Sequence, residues 1–266
     1  MIMDFDDISE LVNGVKAIGD EINSWRSDAF FLQIREPKAF KTEADLRASA
    51  LLNELIKRFK KNAVVISEED AGFSDIRPDS YWLIDPIDGT ASWYEGFPGF
   101  VTQICYIQKG IPEIGIIYAP ALEKLWLGIV GKGAFLNGTR LEKRDGELFD
   151  SGFVLVDNFP EPKRISKIIY DNFNVIRYIE SGSLGLKSLL VADGTSDLFV
   201  KDVVIRDWDV AAASVILNEL GCYISDLEGN PINYYGSHEK NKGLLVAANA
   251  KLANTIIQFT REFKCV

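Results

Sequence analysis

The chain has 266 residues, 47% of them hydrophobic, and a formal net charge of −10 at pH 7. This is enough apolar material for one large domain or two smaller ones with a buried core. The acidic balance argues against a nucleic-acid partner, which needs a basic face, and no apolar run reaches the roughly 18 residues of a membrane helix.

The N-terminal residues and the rare residue types predict a reducing, cytoplasmic setting. Met1 to Asp7 are acidic and lack the basic-then-apolar order of a signal peptide. Cys105, Cys222 and Cys265 form no CxxC pair, which predicts thiols in the core or the tail. The single histidine, His238, lies in a polar loop and is predicted to be exposed. A histidine-rich zinc site is excluded, so hydrolysis would depend on carboxylates, hydroxyls and metal.

The first half of the chain is predicted to be α+β, with helices before a run of antiparallel strands. Apolar periodicity predicts a helix over residues 6–26, and a second helix follows Thr42. Thr42 and Asp45 have the spacing of a capping box, which is one sufficient explanation of that acid. Runs of β-branched and aromatic residues predict strands at 64–66, 81–84, 100–108, 111–118 and 124–130, with another among the turns of 131–138.

The stretch from Tyr81 to Thr90 organises this half because it joins a buried strand to two acids. The apolar run ends in Asp85, where Pro86 is predicted to stop the strand because proline cannot donate to a ladder. If Asp88 opens a turn or a helix, both carboxylates can point into one space. Neighbouring carboxylates repel, and a hard divalent cation is the simplest relief. Gly89 permits close approach of the backbone to a ligand.

Two further acids follow a neighbouring strand. Glu68 and Glu69 come directly after the strand at 64–66, whose end would lie near Asp85. A run of acids is also typical of a solvated loop, so both interpretations stay open at this point.

The second half alternates strands and helices and is predicted to be α/β. A charged segment over 140–150 separates an N-terminal half, residues 1–145, from a C-terminal half, residues 146–266. The predicted strands are 153–157, 175–178, 196–200, 222–225 and 244–248, and the predicted helices are 162–172, 184–192, 208–220 and 250–263.

Polar residues at two helix starts in this half have alternative explanations. Asp207 is predicted as an N-cap, and Asp209 either supports the first helical turn or reaches across a cleft to a metal. Ser183 either caps the helix at 184–192 or lines a substrate pocket.

Several motifs occur in the same order as those of the inositol monophosphatase family, which the chain resembles over nearly its whole length. They are Glu68-Glu69, Asp85-Pro86-Ile87-Asp88-Gly89-Thr90, the glycine-rich segment 131–138, and Trp208-Asp209-Val210-Ala211-Ala212. This family belongs to the lithium-sensitive, magnesium-dependent phosphatases. The resemblance implies a layered α/β/α/β/α sandwich of the inositol monophosphatase and fructose-1,6-bisphosphatase type, and a cytoplasmic homodimer.

The resemblance also implies roles for individual residues. Glu68, Asp85 and the Ile87 carbonyl would hold one metal ion, and Asp85, Asp88 and Asp209 a second. A third, weaker ion would depend on Glu68 and waters. Asp45 and Thr90 would orient the attacking water. The implied substrate contacts are Asp88, Gly89, Thr90, Ser183, Asp202 and Asp209. The implied cofactor is two to three Mg²⁺ ions, with Mn²⁺ as an alternative and Li⁺ and Ca²⁺ as inhibitors.

The implied reaction is hydrolysis of a small phosphorylated metabolite, with myo-inositol 1-phosphate as the leading substrate. Fructose 1,6-bisphosphate, histidinol phosphate and 3'(2'),5'-bisphosphate nucleotides are alternatives within the family. Asp202 stands where the family often has Glu, and the segment 91–100 departs from the usual pattern, so the catalytic residues carry over better than the alcohol specificity. Outside the family, a non-catalytic metal-binding regulator and a two-carboxylate glycosidase stay open. No membrane or nucleic-acid partner is expected.

Overall fold

The fold is taken from a computed structural model that describes residues 5–36, 40–70, 72, 74–144 and 149–263. The helices are α1 (Phe5–Ser24), α2 (Glu43–Phe59), α3 (Thr90–Tyr94), α4 (Arg164–Asn172), α5 (Leu184–Ala192), α6 (Asp207–Glu219) and α7 (Ala250–Phe263). Short 3-10 helices occur at Trp25–Ser27 and Pro120–Leu122. The strands of the first half are β1 (Ile34–Glu36), β2 (Lys41–Thr42), β3 (Val65–Ser67), β4 (Ser80–Asp88), β5 (Val101–Gln108), β6 (Ile111–Ala119), β7 (Lys124–Ile129), β8 (Gly133–Leu136) and β9 (Thr139–Arg140). Those of the second half are β10 (Phe153–Asp157), β11 (Val175–Glu180), β12 (Leu198–Lys201), β13 (Ile205–Arg206), β14 (Tyr223–Ser225), β15 (Glu239–Lys240) and β16 (Leu244–Ala247).

Two sheets carry the fold, one from each half of the chain. Strands β3 to β9 form a seven-stranded sheet in sequence order, in which only β3 and β4 are parallel. The second sheet has the order β11-β10-β12-β16-β14, with β11, β10 and β12 parallel and β16 antiparallel to both of its neighbours. The small ladders β1–β2 and β13–β15 lie outside these sheets and were not predicted.

Successive strand residues point to opposite sides of a sheet, and in the inner strands of both sheets the residues on both sides are buried. In β4, Tyr81 and Leu83 pack in the core that contains α5 and α6, whereas Trp82 and Ile84 pack with α1 and α2. In β12, Phe199 joins the core of α5 and α6, and its neighbours face α4 and α7. The layers are therefore α1/α2, sheet, α5/α6, sheet and α4/α7, which confirms the predicted α/β/α/β/α sandwich.

The central helix α6 belongs to the second half but lies directly on the sheet of the first. A Cβ on Gly115 in β6 would lie 2.2 Å from the Ala212 carbonyl oxygen, and one on Gly128 in β7 would lie 2.9 Å from the Ile216 nitrogen. The glycines thus let the helix backbone touch the sheet. One hydrophobic core spans both sheets. The division into 1–145 and 146–266 stays a prediction, and its boundary falls outside the described residues.

Most predicted elements are confirmed within a few residues, whereas the end of one strand and the exposure of one loop residue were predicted wrongly. Strand β4 continues through Pro86 to Asp88 instead of ending at Asp85. His238 is 4% exposed, because its loop folds over the start of α6 and its ring packs against Trp208. Cys105 and Cys222 are buried as predicted, and Cys265 lies outside the described residues. Among the described helices, none has the length and apolar character needed to cross a bilayer.

We expect Gly115→Ala to lower the free energy of unfolding by about 3 kcal/mol, the upper end of typical overpacking losses. The added methyl group would push α6 away from the sheet. Urea unfolding of purified protein measures the change. Gly194→Ala is the control, because its Cβ would meet no atom within 4 Å and only its positive φ of 80° opposes the substitution. We expect the control to lose about 1 kcal/mol, and equal losses in both variants would contradict the contact.

Candidate active site

A bulge at Pro86 brings two aspartates to the same face of the sheet. In a regular strand, Asp85 and Asp88 would point to opposite faces because three positions separate them. Asp85 pairs with Gln103 and Asp88 pairs with Val101, so β4 has one residue more than β5 across this interval. This extra residue reverses the alternation. Both carboxylates therefore face the layer of α5 and α6.

Three carboxylates meet at this face. Carboxylate oxygens of Asp85, Asp88 and Asp209 all lie within 4.8 Å of one another. Asp85 is 1% exposed, and neither of its oxygens has a hydrogen-bond partner among the described residues. A buried carboxylate without donors is strongly unfavourable unless a proton or a cation accompanies it. The donor set is all oxygen, which suits Mg²⁺, Mn²⁺ or Ca²⁺ better than a soft metal.

Burial and repulsion raise the pKa values of this cluster. Burial is the main cause for Asp85, whose pKa is raised well above its usual range, and the charges of Glu68, Asp88 and Asp209 add to it. The pKa of Asp209 is raised well above its usual range for the same two reasons, burial and then Asp88. A divalent cation would remove the repulsive contribution and favour the ionised forms.

Glu68 and Glu69 border the cluster at the end of β3. Burial raises the pKa of Glu68, the Lys41 charge opposes this shift, and the Asp88 charge adds to it. Burial also raises the pKa of Glu69 to about 7, although Lys41 lies 3.3 Å from its carboxylate. The Lys41 ammonium also donates to the Glu68 carbonyl at 2.8 Å. Lys41 therefore anchors the acidic turn and offsets part of its charge.

Asp45 and Thr90 are hydrogen-bonded to each other, and the start of α2 fixes their position. The Thr42 amide and hydroxyl donate to one oxygen of Asp45, at 2.7 Å and 2.6 Å, in the predicted capping box. The other oxygen accepts from the Thr90 hydroxyl at 3.0 Å. That hydroxyl is also 3.0 Å from the Ile87 carbonyl. It has one proton, so it donates to one of these acceptors at a time.

The start of α5 holds Asp88. Its carboxylate accepts the Gly185 amide at 2.7 Å and lies 3.3 Å from the Leu184 amide. A Cβ on Gly185 would lie 2.9 Å from that carboxylate, so the helix approaches this closely because the residue is glycine. Ser183 caps α5, since its hydroxyl accepts the Leu186 amide at 2.9 Å. These amides stabilise the ionised form of Asp88 against burial.

Glycines allow three backbone segments to meet beside Thr90. Gly89 has a positive φ of 91°, and a Cβ there would lie 2.9 Å from the Gly99 carbonyl oxygen. A Cβ on Gly182 would lie 1.8 Å from the same oxygen. The Ser183 amide donates to this oxygen at 2.8 Å. The segments around 89, 99 and 182 are thus locked together next to the carboxylates.

Asp209 stands at the third position of α6, where one of its oxygens accepts the Arg206 amide at 2.7 Å. Asp209 thus supports the helix start and also lies in the cluster, whereas its role as a metal ligand stays a prediction. Asp207 as the N-cap was wrong, since Arg206 occupies that position and the Asp207 carboxylate is bound to Arg77 and Lys240. Asp202 is exposed just beyond β12, and its substrate contact stays a prediction.

Sequence analysis missed two polar residues near the cluster. Lys187 is 2% exposed, and burial lowers the pKa of its ammonium to about 7 against the opposing effect of Asp88. Gln103 is buried and its amide nitrogen lies 3.3 Å from Asp88. Both had a signal in the sequence, because Lys187 is the only charged residue of a largely apolar helix and Gln103 lies in the middle of a largely apolar strand.

The chain matches one protein family along almost its whole length. The sequence model described as the inositol monophosphatase family matches residues 8–263. A 3'(2'),5'-bisphosphate nucleotidase CysQ of Aggregatibacter actinomycetemcomitans is 27% identical over 85% of this chain and 87% of its own length. The Nus factor SuhB of Escherichia coli is 29% identical over 84% of this chain and 83% of its own. The crystal structure of inositol monophosphatase II of Staphylococcus aureus superposes with a TM-score of 0.77 at 24% identity, over 94% of this chain and 93% of that one.

Without metal, the protein is expected to lose stability between about pH 5 and pH 7. Asp85, Asp209 and Glu69 have raised pKa values when folded, so the folded state binds more protons than the unfolded chain in this window. The free energy of unfolding should therefore fall as pH rises, by roughly 1–3 kcal/mol. Lys187 has the opposite effect on the free energy of unfolding. This effect begins above the window, because folding lowers the pKa of Lys187 to about 7.

Urea unfolding in EDTA at the two pH values measures this dependence. Asp85→Asn should reduce the pH dependence, because it removes the most repelled group. Wild-type stability that is constant or rises over the same interval would contradict the raised pKa values.

Proposed function

The chain belongs to the inositol monophosphatase family, whose members are metal-dependent phosphatases, and we propose that it hydrolyses a small phosphorylated alcohol or sugar with Mg²⁺ as the cofactor. The observation that carries the proposal is the convergence of three carboxylates, of which Asp85 and Asp88 are buried and Asp85 has no donor to either oxygen among the described residues. Such a set fits a divalent cation, because the ion replaces both the missing donors and the missing opposite charge.

The proposed metal ligands follow the resemblance. Asp85, Asp88 and Asp209 would hold one ion, and Glu68, Asp85 and the Ile87 carbonyl another. When bound, the ions would neutralise the phosphate charge and lower the pKa of bound water. The protein contributes the rigidity of this set, since backbone amides fix one oxygen of Asp209 and hold Asp88.

Thr90 and Asp45 are proposed to orient the attacking water. When the Thr90 hydroxyl donates to Asp45, its oxygen keeps lone pairs that can accept a proton of the water. Thr42 holds Asp45 from the opposite side, so the carboxylate that accepts the Thr90 proton is in position before substrate binds. The Gly89 and Thr90 amides are proposed to contact the phosphate. This arrangement would align a lone pair of the water with the phosphorus atom.

Myo-inositol 1-phosphate is proposed as the substrate, with a 3'(2'),5'-bisphosphate nucleotide as the second candidate. The nucleotide is favoured by the similarity to the CysQ nucleotidase. Inositol phosphate is supported by the family match and by a solved complex of inositol monophosphate with SaIMPase-II, whose fold this chain shares at a TM-score of 0.76. Ser183 and Asp202 are the proposed contacts to the alcohol side of the substrate.

We expect Asp85→Asn to lower turnover by about 10³-fold, because losing several kcal/mol of charge stabilisation corresponds to that factor. The variant should retain or gain stability in EDTA, since Asp85 accepts no hydrogen bond that the amide would break. Phosphate release at saturating Mg²⁺ and thermal unfolding in EDTA measure the two effects.

Asp20→Asn is the control for Asp85→Asn. Asp20 is an acid on α1 that contacts Lys16 and Tyr118 away from the cluster. It should leave turnover unchanged, and near-wild-type activity of Asp85→Asn would remove Asp85 from the mechanism.

A phosphate-release screen across phosphorylated metabolites separates the candidate functions. With Mg²⁺, we expect the fastest release from myo-inositol 1-phosphate, loss of activity in EDTA and inhibition by Li⁺. Preference for 3',5'-bisphosphate nucleotides would select the second candidate. Absence of release from any phosphate ester would favour a metal-binding regulator, and glycoside hydrolysis in EDTA would indicate the two-carboxylate alternative.

A further inference from the structure

A buried ionic cluster lies next to the proposed metal site but outside it. The carboxylate of Asp207, at the first position of α6, is completely buried. Arg77 lies 2.9 Å from one of its oxygens, Lys240 lies 3.1 Å from the other, and the His238 ring nitrogen lies 3.3 Å away. None of these residues has a role in the proposed reaction.

The cluster connects three segments that are distant in sequence. Arg77 precedes β4 and also donates to the Gly236 carbonyl at 2.7 Å. The Asp207 amide donates to the His238 carbonyl at 3.0 Å, next to the ladder between β13 and β15. The loop before β4, the start of α6 and the loop at 234–240 are thus held together by the side chain and the backbone of one residue.

Two of these segments lead directly to the proposed metal ligands. Strand β4 begins three residues after Arg77 and carries Asp85 and Asp88. Asp209 follows Asp207 by two positions, and both lie in the first turn of α6. Rotation of that turn would move the Asp209 carboxylate away from the carboxylates of Asp85 and Asp88, whose oxygens lie within 4.8 Å of it.

Net stabilisation is a poor explanation for such a cluster. Buried ion pairs lose so much hydration that apolar replacements are often equally stable, whereas one partner left alone is strongly unfavourable. Fixed geometry is the property that apolar packing supplies less well, because hydrogen-bonded charges are directional.

We propose that Asp207 is a positioning residue, which holds the first turn of α6 against the loop before β4 so that Asp209 meets Asp85 and Asp88. This inference rests on the proposed function, since it takes Asp209 as a ligand of the metal. Asp207 acts through Asp209 and contacts neither metal nor substrate.

The test measures Mg²⁺ binding to the full chain by calorimetry, together with the Mg²⁺ dependence of phosphate release. In Asp207→Asn, we expect the dissociation constant for Mg²⁺ to rise at least about tenfold, as for other residues that orient metal ligands. Turnover at saturating Mg²⁺ should change much less, because excess metal restores the occupied site.

Lys240→Met is the second variant, because Asp207→Asn could prevent folding. It removes one contact to Asp207 and keeps Arg77 and His238 in place. The same shift in Mg²⁺ affinity, of smaller size, is expected. Asp197→Asn is the matched control, since it weakens another Arg–Asp pair, largely buried and with Arg144 at 2.7 Å, that does not adjoin the start of α6. It should lower stability and leave the Mg²⁺ dissociation constant unchanged.

The outcomes separate this inference from the proposed function. If wild type binds Mg²⁺ and Lys240→Met and folded Asp207→Asn bind it equally well, the positioning role is overturned and the proposed function stands. An equal loss of affinity in Asp197→Asn would also overturn it, because general destabilisation would then be the cause. If the wild-type protein itself fails to bind Mg²⁺, both the positioning role and the proposed function are overturned.

Discussion

Repulsion among buried carboxylates is the constraint on which the rest of this structure depends. Oxygens of Asp85, Asp88 and Asp209 lie within 4.8 Å of one another, where burial already opposes their ionisation. Apolar packing does not favour such an arrangement, so the surrounding elements must hold it against its own electrostatics. The same repulsion favours a divalent cation, because binding relieves an unfavourable interaction as well as forming new ones.

The helices and strands hold these acids in place through different numbers of hydrogen bonds. Asp45 and Asp209 stand at the third position of their helices, where a backbone amide fixes one oxygen of each, and the other oxygen of Asp45 accepts from Thr90. Asp88 is held by the amides at the start of α5. Asp85 receives no donor from the residues that the structure describes, so the strand sets its position. Helix starts are suited to this role because their amides have no partners within the helix.

Local chemistry explains what the sequence predicted and what it did not. The capping box of Thr42 and Asp45 was predictable because it depends only on neighbouring residues. Pro86 was misinterpreted as a strand end because proline also occurs at bulges, and only the register with β5 distinguishes the two. The burial of His238 and Asp207 depends on a loop that closes over α6, and local polarity carries no signal of that long-range contact. Family resemblance supplied the residue roles, whereas the amides that hold Asp88 come from the fold.

The site also joins the two halves of the chain, because its acids come from both. Asp85 and Asp88 belong to the seven-stranded sheet, whereas Asp209 and the amides of α5 come from the helices between the sheets. Glycine contacts bring the backbone of α6 onto the first sheet, and one hydrophobic core continues from that sheet to the second. An ion shared by these acids would therefore stabilise the packing of α6 on the sheet more than the sheet itself, since the strands have their own ladders. Removal of the ion should then loosen the packing of α6 on the sheet before it loosens the sheet or the helix layer. Metal binding and the packing of the two halves would therefore be one coupled equilibrium.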